Sequence, residues 1–108
     1  MEKFELCPRV EKAMQLIGKR WTGLILYQLM YGPQRFSEME SILPVSARVL
    51  TERLKELEEE GLVSRKAIPG MPVRVEYSLT EKGKSLTPAI KELARWAQDW
   101  MPNDEPAR

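Results

Sequence analysis

The sequence predicts a mostly helical α+β fold, one domain in which helices surround a two-stranded hairpin, and three observations carry the prediction. Five stretches repeat apolar residues at helical spacing, the stretch around Val75 alternates them with a period of two, and proline or glycine punctuates the junctions. At 108 residues the chain can bury one core but not two. No repeat occurs at the periods of solenoid proteins.

Residues 1–7 read as an N-terminal arm, mobile or docked on a partner, because charges alternate there and only Phe4 and Leu6 offer apolar surface. The domain proper covers residues 8–101. Its first helix starts at Cys7 and Pro8, since proline is favoured at the first helical position, where its missing N–H costs nothing. Val10, Ala13, Met14 and Ile17 make the apolar face, and Gly18 is the stop. In the second helix, residues 21–31, Trp21, Leu24, Ile25, Leu26, Leu29 and Met30 are apolar around most of the circumference, which predicts central burial. Gly32 and Pro33 break it. A short third helix over residues 36–43 is expected to bury Phe36, Met39, Ile42 and Leu43 before Pro44 ends it.

The fourth helix is punctuated at both ends: Ser46 caps it, Val45 packs on Leu50 as a hydrophobic staple, and Gly61 supplies a left-handed stop after Glu60. Val49, Leu50, Leu54, Leu57 and Leu62 share one face, while Arg48, Thr51, Glu52, Lys55 and Glu59 share the other. Two helices joined by so tight a turn read as a helix-turn-helix. Residues 62–67 and 73–79 form strands around a tip of Ile68, Pro69, Gly70, Met71 and Pro72. Val73, Val75, Tyr77 and Leu79 alternate with Arg74, Glu76 and Ser78, which predicts one buried and one wet face. Thr80 caps a last helix, residues 80–101, with Leu86, Ala89, Ile90, Leu93, Trp96, Ala97 and Trp100 as its stripe. Pro88 lies inside that helix, and an interior proline, which costs roughly 3 kcal/mol, predicts a bend. The polar tail, residues 102–108, is expected to be disordered. Taken together, the order of elements is that of a winged helix-turn-helix with one helix added at each end.

Composition narrows the function. With no histidine and a single cysteine, Cys7, an internal disulfide is impossible, and the usual zinc sites and histidine-based catalysis are excluded. There is no phosphate-binding glycine loop, and Glu38 and Glu40, two apart on a helix, do not share a face for acid and base roles. Neither metal nor cofactor is expected, and an enzyme is the least supported class. The longest apolar stretch, residues 24–30, is interrupted by Tyr27 and Gln28 and far too short for a membrane span, and MEKFELCP lacks the pattern of a secretory signal. A cytoplasmic protein follows. Formal net charge is only +1, so any nucleic-acid footprint must be local. Arg48, Arg53 and Lys55 lie early in the fourth helix and Arg65, Lys66 and Arg74 in the hairpin, whereas Glu56, Glu58, Glu59 and Glu60 crowd the far end of the helix.

The stretches CPRVEKAMQLIGKRWTGLILYQLMYGPQRFSEM, LPVSARVLTERLKELEEEGLVSRK and PVRVEYSLTEKGKSL, in that order, resemble the HxlR-type transcriptional regulators, small MarR-like winged-helix proteins of bacteria and archaea. The likeness covers residues 7–100 and implies a homodimer bound to a near-palindromic DNA operator. It places the fourth helix in the major groove, the hairpin tip on the adjacent backbone or minor groove, and the dimer interface on the first and last helices. Arg48 and Thr51 are then candidates for base edges, and Ser46, Arg53 and Lys55 for phosphates. Arg53 borders the apolar stripe, so pairing with Glu56 or Glu58 is its other role. Arg65, Lys66 and Arg74 are candidate phosphate contacts from the wing. Leu93, Trp96, Ala97 and Trp100 are the candidates for the dimer interface, because a small domain seldom buries two tryptophans four apart on a terminal helix; closing the intramolecular core is the competing role.

The resemblance also implies a sensing role for Cys7, since some members have a cysteine here that responds to electrophiles or oxidants. With no second cysteine, oxidation would give an intersubunit Cys7 bridge or a mixed disulfide with a small thiol. A buried, inert cysteine is the other reading. A small-molecule effector would find apolar residues near the last helix in Met14, Tyr27, Met30 and the tryptophans, although such residues also read as core. The competing class is a winged-helix protein–protein interaction module without specific DNA binding, which the near-neutral charge and the glutamate cluster keep open.

Overall fold

Pro8 opens the first helix of the computed structural model, which describes residues 6–103. Expectations for residues 1–5 and 104–108 lie outside the described residues. The elements are α1 (Pro8–Gly18), α2 (Thr22–Leu29), β1 (Gln34–Arg35), α3 (Phe36–Ile42), α4 (Ala47–Glu59), β2 (Val63–Ile68), β3 (Arg74–Leu79), α5 (Glu81–Ser85) and α6 (Thr87–Trp100). Both strand pairings are antiparallel and the sheet order is β1-β3-β2. This is the mostly helical α+β fold of a winged helix-turn-helix.

The core forms where α2, α3 and α4 turn their apolar faces on one another and on the base of the wing. Ile25, Leu26 and Leu29 of α2 join Met39, Leu50, Leu54 and Leu57, with Leu62 and Val63 closing the cluster below. Each fully buried leucine contributes about 1.5–3 kcal/mol relative to an exposed one. The end of α4 is built as its sequence predicts. Gly61 adopts φ +76°, its N–H donates to the Glu58 carbonyl at 3.0 Å, and the Leu62 N–H donates to the Leu57 carbonyl at 2.9 Å. That reciprocal pair satisfies two carbonyls of the last turn and drops Leu62 onto Leu57 in the core.

The wing leaves and returns at one place. The Thr80 N–H donates to the Leu62 carbonyl at 3.0 Å, and its Oγ1 donates to the Gly61 carbonyl at 2.5 Å while accepting from the Gly83 N–H at 3.1 Å. Lys82 Nζ donates to the Glu60 carbonyl at 2.6 Å. Gly83 packs so closely that a Cβ there would stand 2.2 Å from the Leu62 carbonyl oxygen.

Several expectations need correction. The predicted hairpin gains a third strand, β1, whose Gln34 and Arg35 pair with Tyr77 and Glu76. Two residues are too few to display a period of two. As the central strand, β3 is covered along both edges, so the residues from Val75 to Leu79 are all half-buried and the expected alternation in burial is lost; Val73, beyond the sheet, is exposed. The last helix is interrupted at Leu86 and restarts as α6, with Pro88 in its first turn. There the proline's absent N–H has no intrahelical partner to lose, so a restart replaces the expected bend. Gly18 ends α1 as expected, but the left-handed residue of the connection to α2 is Trp21, at φ +79°. The Arg20 guanidinium lies 4.7 Å from the centre of the Trp21 rings, a cation–π contact that covers the indole. Ile42, expected in the core, is 56% exposed at the end of α3. Leu24 on α2 and the face of α1 formed by Val10, Ala13 and Met14 are exposed as well.

Candidate nucleic-acid interface

Ser46 fixes where the candidate reading helix begins: its Oγ accepts from the Val49 N–H at 3.2 Å, in the first turn of α4. From that cap the free face advances through Arg48, Thr51 and Lys55, three and four residues apart and all exposed. Arg48, 79% exposed, meets Glu52 at 3.2 Å. Such a pair at four-residue spacing on an open helix stabilises by only about 0.3–0.5 kcal/mol, so exchanging it for a guanine edge or a phosphate costs little. The Thr51 hydroxyl donates to the Ala47 carbonyl at 2.8 Å, which leaves the oxygen of this exposed residue able to accept.

Arg53 points elsewhere. Its side chain is only 18% exposed, with Nε donating to the Arg20 carbonyl at 2.9 Å and a terminal nitrogen to Glu56 at 3.4 Å. The structure thus separates Arg53 from Ser46, Arg48, Thr51 and Lys55 and gives it the ion-pair role. Glu56 also accepts from Lys19 Nζ at 2.5 Å. The Lys19 hydrogen bond, reinforced by the charges of Lys19 and Arg53 against some desolvation, holds the Glu56 carboxyl below its usual pKa. The second half of α4 is in this way tied to the turn between α1 and α2.

The wing divides its cations between two faces. Cross-strand partners share a face: Arg65 lies opposite Tyr77 on the side that Val63 and Leu79 turn to the helices, whereas Lys66 opposes Glu76 and Arg74 opposes Ile68 on the other side. Arg65 therefore lies on the side of the helices, and Lys66 and Arg74 lie along the outer face. Arg35 of β1, paired in register with Glu76, adds a cation to that outer face. Sequence reasoning missed Arg35, because nothing in a two-residue strand announces it.

Among the described residues apolar side chains also stay uncovered on α1, α2 and α6. Leu93, Trp96 (49%) and Trp100 (74%) are exposed on α6, alongside Val10 and Met14 of α1 and Leu24 of α2, while Ala97 is half-buried. Between α2 and α6 runs a groove of about 360 Å³ whose walls include Ile17, Leu24, Tyr27, Leu93 and Ala97. Met30 borders a neighbouring depression with Tyr27 and Tyr31, and Met14 lines neither. Cys7 is exposed at the N-terminus of α1. Among the described residues no cluster of Cys, Asp or Glu is placed to hold a metal, and no helix is long and apolar enough to cross a membrane.

A capped helix with an open polar face, set beside an exposed wing, defines a winged helix-turn-helix protein. Residues 16–105 match the family described as HxlR-like helix-turn-helix. Over 102 residues the chain is 57% identical to YvaP of Bacillus subtilis, an uncharacterized HTH-type transcriptional regulator, covering 94% of each protein. The reduced form of the transcriptional regulator YodB from B. subtilis superposes with a TM-score of 0.78 at 45% identity, over 94% of this chain and 100% of that one. The redox regulator HypR in its oxidized form gives 0.82 at 38% identity, over 92% and 100%. The chain belongs to the HxlR-like family and is a transcription regulator of the helix-turn-helix type.

Proposed function

We propose that the protein is a homodimeric, sequence-specific DNA-binding regulator acting in the cytoplasm. The observation that carries this reading is the open row Ser46, Arg48, Thr51 and Lys55 at the capped start of α4, beside a wing with cations on both faces. Arg48 and Thr51 address base edges; Ser46, Lys55, Arg65, Lys66 and Arg74 position the backbone. The exposed stripe of Leu93, Trp96 and Trp100, with the exposed Val10 and Met14 of α1, meets the same residues of a second copy. A twofold pair presents its two α4 helices to successive major grooves, about 34 Å apart along a near-palindrome. Gel shifts test it: Arg48→Ala weakens a selected operator by about 1–3 kcal/mol, and Lys66→Ala weakens all sequences alike and flattens the salt dependence. Unchanged binding in both variants would refute the placement.

A redox role is a second reading, favoured by one specific observation: Cys7 is exposed and therefore open to reagents, which supports this reading over that of an inert buried cysteine. The similarity to YodB and HypR supports it, since HypR is described as a redox regulator and YodB has also been solved diamide-treated and quinone-bound. Diamide should give a Cys7-linked dimer on a non-reducing gel, or a mass adduct with a small thiol, together with altered operator affinity. Cys7→Ser should give none of these.

A further inference from the structure

The tip of the wing is apolar where a DNA-facing loop would ordinarily carry charge. From Ile68 to Val73 there is no ionisable group and no side-chain hydrogen-bond donor, and Met71 is fully exposed between Gly70 and Pro72. Val73 is 60% exposed, and among the described residues nothing covers the Met71 side chain. The ladder runs to its last rung, Ile68 opposite Arg74, so the loop closes directly on paired strands. Pro69 and Pro72 fix φ at two of its positions and reduce the freedom the tip would lose on binding. Cations stand immediately behind it, Arg65 on one face of the hairpin and Lys66 and Arg74 on the other.

We infer that Met71 is an apolar wedge that enters the minor groove beside each half-site and unstacks a base step, while Lys66 and Arg74 hold the flanking phosphates. This rests on the DNA-binding reading above and adds to it a mode of recognition. Charge complementarity selects the occupant, because an apolar tip with Arg65, Lys66 and Arg74 in the strands behind it suits a polyanion with an apolar interior. Reach agrees: the rise from buried Val63 to Ile68 is about 17 Å, half of the roughly 34 Å helical repeat that separates a major groove from its next turn. Methionine and proline are among the side chains that wedge between base pairs, and pyrimidine–purine steps yield most readily. The tip would thus read deformability at flanking positions that make no hydrogen bond to protein.

The test uses the full-length protein and duplexes it selects from a random pool, with 2-aminopurine scanned through the flanks of each half-site. Wild type should raise the fluorescence at one flanking step and prefer a pyrimidine–purine step there. Met71→Ala should abolish the rise and lower affinity about tenfold with an unchanged salt slope. Met71→Leu, which keeps the apolar bulk, should preserve both. Met71 makes no core contact, so both variants should melt with wild type. The wedge is overturned if wild type produces no fluorescence rise, or if Met71→Ala binds like wild type, while Arg48→Ala still destroys selective binding; the parent reading then survives. If wild type selects no sequence, both fall together. A tip that instead captures a protein would leave every DNA readout unchanged in Met71→Ala, which also overturns the proposal.

Discussion

Helices α4 and α6 carry comparable apolar stripes, and the structure treats them oppositely. Leu50, Leu54 and Leu57 are sealed in the core, whereas Leu93, Trp96 and Trp100 face outward and only Ile90 of α6 is buried. An amphipathic pattern demands a partner and does not say whether the same chain supplies it. The difference lies in what surrounds each helix: α4 sits between α2, α3 and the wing base, while α6 follows the last of the core elements and meets chiefly α2.

Substitutions can break this contrast from either side. The largest effect should come from Leu54→Ala, which empties a fully buried site and should destabilise the fold by roughly 2–5 kcal/mol in denaturant titration. Replacing Trp96 and Trp100 together by alanine should leave monomer folding nearly intact and instead cost the self-association upwards of about 2 kcal/mol, as buried aromatic anchors do. Sedimentation at falling concentration would reveal it; an unchanged association constant with a lowered melting point would mean that the tryptophans serve the fold of their own chain.

The smallest effect concerns the ion pairs that bind α4 to the α1–α2 turn. Folding lowers the Glu56 pKa, so its contribution is complete above the ordinary carboxylate value of 4.5 and disappears as pH falls through the lower folded value. At pH 7 Glu56→Gln should therefore be less stable than wild type, by no more than about 1 kcal/mol for so solvated a pair. Below pH 4.5 the gap should close, and thermal melts at several pH values would measure it. A gap that persists in acid would mean that packing and not charge holds the pair.

Much of the architecture was legible beforehand, because caps and stops act locally. Ser46, Gly61 and Thr80 each do in the structure what their type and neighbours imply. What escaped depended on distant chain. Arg53 could be placed only once Arg20 and Glu56 were both located, and Arg35 only once β3 had become a central strand. Pro88 was misjudged for a different reason: its cost depends on the helical position it occupies, and nothing in the apolar stripe marks Leu86 as an interruption. The open face of α4 was legible from spacing, and the division of wing cations follows from strand alternation once the register is known.

The clasp of Thr80 on Gly61 and Leu62 makes the wing a closed excursion whose two ends are bonded to each other. Residues may be added at the tip, beyond the Ile68–Arg74 rung, without changing the path of the helices on either side. The tip is in that sense an exchangeable module, free to change in length or composition while the placement of α4 stays as it was.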